Sequence, residues 1–136
     1  PLETPNITYD WYRALLAAFP GRFRLLYASS THDYLLSTFY NDMTNRIYKT
    51  NAGVRGAYYR QLKNMVRWLR DLDPSFSFFI NGWVNPLFTK AQVGTIHTAV
   101  RQPYFYVPWK NGATMASWLI DAVNGNSYDV GMDLLK

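Results

Sequence analysis

The chain has 136 residues, with 14 Lys and Arg against nine Asp and Glu, and a net charge of +5 at neutral pH. This length predicts a single domain over residues 1–136, because a second domain would lack the residues for its own core. The absence of cysteine excludes disulfides, a thiol nucleophile and cysteine-bound zinc. A composition that is 49% hydrophobic and 18% aromatic excludes a disordered chain.

Charged residues make up only 17% of the chain, below the roughly 25% that is usual for soluble domains. A chain with so few charged residues is expected to bury part of its surface against partner subunits. The start at Pro1 is typical of a gene product whose initiator Met has been removed, and it does not resemble a signal peptide. The longest uncharged run, 74–89, is broken by prolines and polar residues, so no membrane span is expected.

The first helix is predicted over Tyr9–Phe19, capped by Asn6 or Thr8 and ended by Pro20-Gly21. Its apolar side would consist of Trp11, Leu15, Ala18 and Phe19. A second helix is predicted to begin at a capping box spanning Ser30 to Asp33. Its apolar stripe would be Leu36, Phe39, Met43 and Ile47, which repeat at helical spacing.

The positive charge is confined to residues 46–70. This segment holds seven bases and no acid, a sum of +7, whereas residues 1–45 and 71–136 each sum to −1. The third helix, about Ala57–Leu72, would align four of these bases within an arc of about 80°. A kink is expected at Gly53 and Gly56. The seven bases are Arg46, Lys49, Arg55, Arg60, Lys63, Arg67 and Arg70.

Two prolines that follow cap residues, at Asp73-Pro74 and Asn85-Pro86, predict helix starts, although the alternation over Ser75–Ile80 leaves a short strand open. Val93, Ile96 and Val100 then keep helical spacing. Arg101–Trp109 should be extended because of its two prolines. A helix from Asn111 to Asn124 and a short one capped by Ser127 complete the chain. The predicted fold is all-α: a small bundle of five or six short helices with a kinked basic arm and an extended aromatic and proline connector.

Catalytic chemistry is not expected from the sequence. The two histidines, His32 and His97, are 65 residues apart, and each fits a structural role. No metal-ligand spacing, nucleophile elbow, phosphate loop or dinucleotide motif is present. We therefore predict no catalytic residues, no metal, no cofactor and no enzyme.

The basic segment is the strongest functional signal. A solvated amphipathic face is the plain alternative, but such faces usually mix charge signs to form i,i+4 pairs. Seven like charges repel one another and are stabilised by a polyanion, either nucleic acid or anionic lipid. Five of the seven are arginines, whose planar guanidinium suits phosphate oxygens.

The cysteine-free, aromatic-rich chain, with the basic run 46–70 and the helical stretches after Pro86, resembles the major coat proteins of filamentous and rod-shaped DNA viruses of hyperthermophilic archaea. The resemblance is one of composition and layout. It implies an all-helical coat fold, A-form double-stranded DNA clasped between two copies or two related coat proteins, and a helical lattice within the virion, with a lipid envelope as a further option. It also implies that the seven bases contact phosphates, with Arg13, Arg22 and Arg24 as weaker candidates.

We therefore predict a structural nucleocapsid protein that packages double-stranded DNA through sequence-independent phosphate contacts and polymerises into a filament. The alternatives are a small DNA-binding architectural or regulatory protein, and a peripheral membrane or partner-binding module that uses the basic helix.

Overall fold

A computed structural model describes residues 3–84, 94–98, 100 and 103–136. Within these residues the chain forms four α-helices and two β-strands, so the fold is mixed and the all-α prediction is wrong. The elements in chain order are α1 (Ile7–Ala18), β1 (Leu26–Ser30), α2 (Tyr34–Met43), α3 (Asn51–Leu72), β2 (Ser77–Asn81) and α4 (Met115–Val123). Short 3₁₀ turns lie at Tyr104–Tyr106, Lys110–Gly112 and Met132–Leu135.

The two strands form a parallel pair in which Leu26 lies opposite Ser77 and Ser30 lies opposite Asn81. Parallel strands need a long crossover, which α2 and α3 supply here. On its other side β2 meets Val130, whose N–H donates to the Phe78 carbonyl while its own carbonyl accepts from Ile80. Because β2 has neighbours on both edges, all five of its residues are buried.

The predicted helix start at Asp73-Pro74 is wrong, and the strand alternative over Ser75–Ile80 is confirmed by β2. Asp73 is the C-cap of α3, and its carboxylate accepts hydrogen bonds from the Ser75 N–H and hydroxyl. The chain therefore turns at Pro74 and enters the sheet. Phe78 and Phe79, next to each other in β2, face opposite layers of the core, as strand geometry requires.

The core has two parts, one on each face of β2. The first lies between β2 and the buried face of α3, with Leu62, Met65 and Leu69 at its centre. The second surrounds Phe79 and includes Trp118 of α4. The indole N–H of Trp118 donates to the Tyr128 carbonyl at 2.8 Å, so its polar atom is satisfied inside the core.

α3 is a continuous 22-residue helix, so the predicted kink at Gly53 and Gly56 is wrong. Thr50 caps it by accepting from the Gly53 N–H at 3.0 Å, which sets the helix start one turn before the glycines. Leu62, Met65 and Leu69, which share one face of α3, are buried.

α1 begins at its predicted cap, Asn6, but buries a different face from the one expected. Trp11 and Phe19 are 61% and 44% exposed, whereas the core contacts come from Tyr9, Tyr12 and Leu16. The predicted apolar side is wrong because the rings of Tyr9 and Tyr12 pack against the core in place of Trp11 and Phe19.

α2 does not begin with the predicted capping box. Ser30 ends β1, and Asp33 is itself the cap, accepting from the Leu36 N–H at 2.9 Å. The predicted apolar stripe of α2 faces outward. Its members, Leu36, Phe39, Met43 and Ile47, are 39%, 52%, 77% and 60% exposed.

In the last third of the chain, α4 is capped by Thr114 rather than Asn111, which lies in a turn with a φ of 58°. Tyr104–Tyr106 is a 3₁₀ turn, so the fully extended connector is wrong there. The terminal 3₁₀ turn begins after Gly131 rather than at Ser127. The predicted helix after Asn85-Pro86 lies largely outside the described residues, and Gly94–Thr98 is not helical.

Candidate nucleic-acid interface

Three of the predicted cations lie on the side of α3 that is opposite its buried face. Arg60 and Arg67 are exposed, and Lys63 is half-buried. Their spacing of three and four residues places them on one stripe, with Arg60 and Arg67 about 10 Å apart along the axis at 1.5 Å per residue. We call Arg60, Lys63 and Arg67 the basic face.

The described residues make few contacts with the charged groups of the basic face. The Arg67 guanidinium donates to the Asn64 side-chain oxygen at 3.0 Å, and no carboxylate of the described residues pairs with it. The Lys63 ammonium lies 5.4 Å from the centre of the Tyr59 ring, a cation–π contact. Among the described residues, the five ion pairs include none of the three cations. The face therefore carries three positive charges that are not neutralised within the fold.

Arg70 differs from its three neighbours, although it has the same helical spacing. Its guanidinium is paired with Asp129 and lies 5.7 Å from the rings of Phe76 and Phe78. These contacts tie the end of α3 to β2 and to the C-terminal segment. Arg70 therefore has a structural role that the sequence pattern did not reveal.

The remaining predicted bases are divided between two places. Arg46 lies in the turn after α2 with a φ of 56°, and its Nε donates to Asp42 at 2.8 Å. Lys49 is exposed and donates to the Arg46 carbonyl. Arg55, half-buried on α3, faces α2 in a cavity with Ser37 and Asn41. The structure therefore does not align these three with the basic face.

One aromatic pair lies beside the basic face. The rings of His32 and Tyr59 are stacked at 4.8 Å with an interplanar angle of 15°. Burial lowers the pKa of His32, and the nearby Arg55 charge lowers it further. His32 therefore adds no permanent charge to this surface at neutral pH.

The weaker candidates are spread over other surfaces. Arg13 forms an ion pair with Glu3 on the outer side of α1. Arg24 donates to the Ala122 carbonyl at 2.9 Å and to the Ser127 hydroxyl, so it has a structural partner. Arg22 is exposed in the turn after α1.

Sequence reasoning missed one polar pair, His97 and Asp33, in which Nδ1 of His97 lies 2.9 Å from Oδ2 of Asp33. They are 64 positions apart in the chain, so no local spacing could reveal the contact. Within the described residues there is no cluster of three or more His, Asp or Glu that could hold a metal ion. None of the described helices is long and apolar enough to cross a membrane.

Comparisons with known proteins do not assign a family: no protein-family model, curated protein or solved structure matches the chain.

Proposed function

We propose that the protein binds double-stranded DNA without reading its sequence, through phosphate contacts from Arg60, Lys63 and Arg67. The observation that carries the proposal is the basic face itself, three cations on one helix stripe that no acid of the described fold neutralises. Their mutual repulsion is relieved when a polyanion supplies the missing negative charge.

The geometry favours backbone contact over base recognition. The basic face is the outer side of a helix whose opposite side is buried in the core, so α3 presents long cationic side chains from a rigid support. Two of the three are arginines, which bind phosphate oxygens through two parallel hydrogen bonds. Contacts of this kind position a protein on the duplex and carry no sequence information.

We further propose that binding serves packaging, with many copies coating one duplex in a filament. The support comes from the apolar stripe on and after α2, formed by Leu36, Phe39, Met43 and Ile47, whose side chains are exposed in the single chain. Leu36, Phe39 and Met43 share one face of α2 by their spacing, and exposed apolar faces mark protein–protein contact sites. The mixed fold removes the all-helical coat fold as support, so packaging depends on this surface and the basic face alone.

The test is saturation of a random-sequence duplex of about 150 base pairs, followed by nuclease digestion and electron microscopy. Packaging predicts a fixed number of base pairs per subunit, full protection and filaments. A regulator would bind but leave most of the duplex open to the nuclease, which would contradict packaging while leaving DNA binding intact.

A membrane module is distinguished by sedimentation with vesicles that contain anionic lipid. Sedimentation with vesicles together with no DNA retention would contradict the proposal.

Met43→Glu, at the last residue of α2 and the most exposed position of the stripe, is the variant that separates packaging from DNA binding. It should bind DNA with the same affinity per subunit but fail to form filaments, because a charge would be buried between copies.

A further inference from the structure

A second site lies at the carboxyl end of β1, where Asp33 and His97 meet. The Asp33 carboxylate accepts from the Leu36 N–H through one oxygen and bonds the His97 Nδ1 through the other, each at 2.9 Å. The Asp33 side chain is 4% exposed and that of His97 is 32% exposed. In the tautomer with the proton on Nδ1, this contact is a hydrogen bond to the carboxylate and Nε2 is available to accept a proton.

The segment that carries His97 is fixed tightly against the β1–α2 connection. The Thr95 N–H donates to the His32 carbonyl at 3.0 Å, and the Thr95 hydroxyl oxygen accepts from the His32 N–H at 2.9 Å. The Ser30 hydroxyl donates to the Ile96 carbonyl at 2.7 Å. These three hydrogen bonds fix Thr95 and Ile96, directly before His97, and the bond to Asp33 orients the imidazole itself.

Two backbone features of this segment support a functional role. A Cβ added at Gly94 would lie 2.5 Å from the Tyr34 Cβ, so the chains approach more closely there than any side chain allows. Thr98, directly after His97, has a φ of 52°, which is unfavourable for a β-branched residue. Backbone strain of this kind is concentrated at functional sites.

His97 and Asp33 line a cavity of about 350 Å³, large enough for a small organic molecule. Its lining includes Thr8 and Thr98 together with apolar residues, among them Leu36 and Met115. Among the described residues that line it, none is Lys or Arg. The cavity therefore suits an uncharged ligand with a polar and an apolar part.

We propose that this cavity is a hydrolytic site for small uncharged esters, with His97 as general base and Asp33 as its positioning residue. Nε2 of His97 takes a proton from a water molecule, whose oxygen attacks the acyl carbon. The hydroxyl groups of Thr8 and Thr98 donate to the carbonyl oxygen. The bond to the alcohol oxygen then breaks and that oxygen takes the proton from Nε2, so an acid and an alcohol leave. This activity is independent of DNA binding, because it uses none of the basic face.

The experiment measures p-nitrophenol release from p-nitrophenyl acetate and butyrate by the full chain. His97→Gln should lower kcat/KM by about 100-fold or more, the contribution of a general base. Asp33→Asn keeps the helix cap. It should lower kcat on the order of 10-fold with KM little changed, because the amide no longer holds His97 in the tautomer that is protonated at Nδ1.

His32→Gln is the matched control, because it removes the only other histidine and leaves the cavity intact. It should keep the full rate. In this variant His97 is the sole histidine, so diethyl pyrocarbonate should abolish hydrolysis in step with modification of one imidazole. That arm remains informative if His97→Gln fails to fold. A wild-type rate no greater than that of free imidazole, or hydrolysis that survives modification of His97, would overturn the proposal.

Discussion

The salt dependence of DNA binding provides a quantitative test of the basic face. If Arg60, Lys63 and Arg67 each neutralise one phosphate, log K should fall with log salt at a slope of about −2.7, from roughly 0.9 per contact. A rise from 50 to 200 mM salt would then weaken binding about 40-fold. The double variant Arg60→Gln, Arg67→Gln leaves one contact, for which the slope becomes about −0.9 and the same change in salt weakens binding only about 3-fold.

The assay is fluorescence anisotropy of a labelled random-sequence duplex, measured at five or more salt concentrations. Both arginines lie on the solvent side of α3, so the double variant should keep its thermal stability. Arg13→Gln is the control: it removes the same charge from an arginine already paired with Glu3 on α1. An unchanged slope in the double variant, or an equal loss in the control, would refute the assignment of the phosphate contacts to α3.

Four further predictions concern stability, measured as the free energy of unfolding in urea. Gly56→Ala should stabilise the protein by about 0.5–1 kcal/mol, because the added Cβ meets only the Arg60 side chain at 3.7 Å. Gly94→Ala should destabilise the protein by about 1–3 kcal/mol or more, because the added Cβ would overlap Tyr34. Leu69→Ala, at a position with 0% exposure, should cost about 2–5 kcal/mol; a cost below 1 kcal/mol would contradict the core described for α3. Because the pKa of His32 is lowered in the folded protein, the His32 imidazole of the unfolded chain is protonated at a higher pH as the pH falls. Stability should therefore fall as the pH drops below about 6.5, and His32→Gln should flatten that fall.

Much of α3 could be predicted because its helical pattern depends on residues that lie close together in the sequence. The 3.6-residue period of Leu62, Met65 and Leu69 reflects the one face that meets the core, and the basic face is its complement on the same helix. The kink was predicted from the cost of glycine within a helix. That cost is only about 1 kcal/mol per residue, and it is offset by the Thr50 cap and the packing of the later turns.

The sheet could not be predicted with the same certainty because β1 and β2 pair over about 50 residues of chain. β1 contains two serines and an alanine and shows no alternation that distinguishes it from a loop. The Asp33–His97 site depends on this pairing, since β1 sets the position of Asp33 and hydrogen bonds from its end fix His97. A site assembled by long-range pairing leaves no spacing in the sequence from which it could be found.

The ion pairs determine which of the predicted bases keep a charge that no acid neutralises. Arg67 and Arg70 are three residues apart on one stripe, yet Asp129 neutralises Arg70 while Arg67 has only an amide partner. The consequence of the ion pairs is electrostatic: the acids Glu3, Asp42, Asp129 and Asp133 each pair with a base outside the basic face. Arg60, Lys63 and Arg67 thereby keep their positive charges on one stripe of α3, and a focused patch attracts a polyanion more strongly than the same net charge spread over the surface.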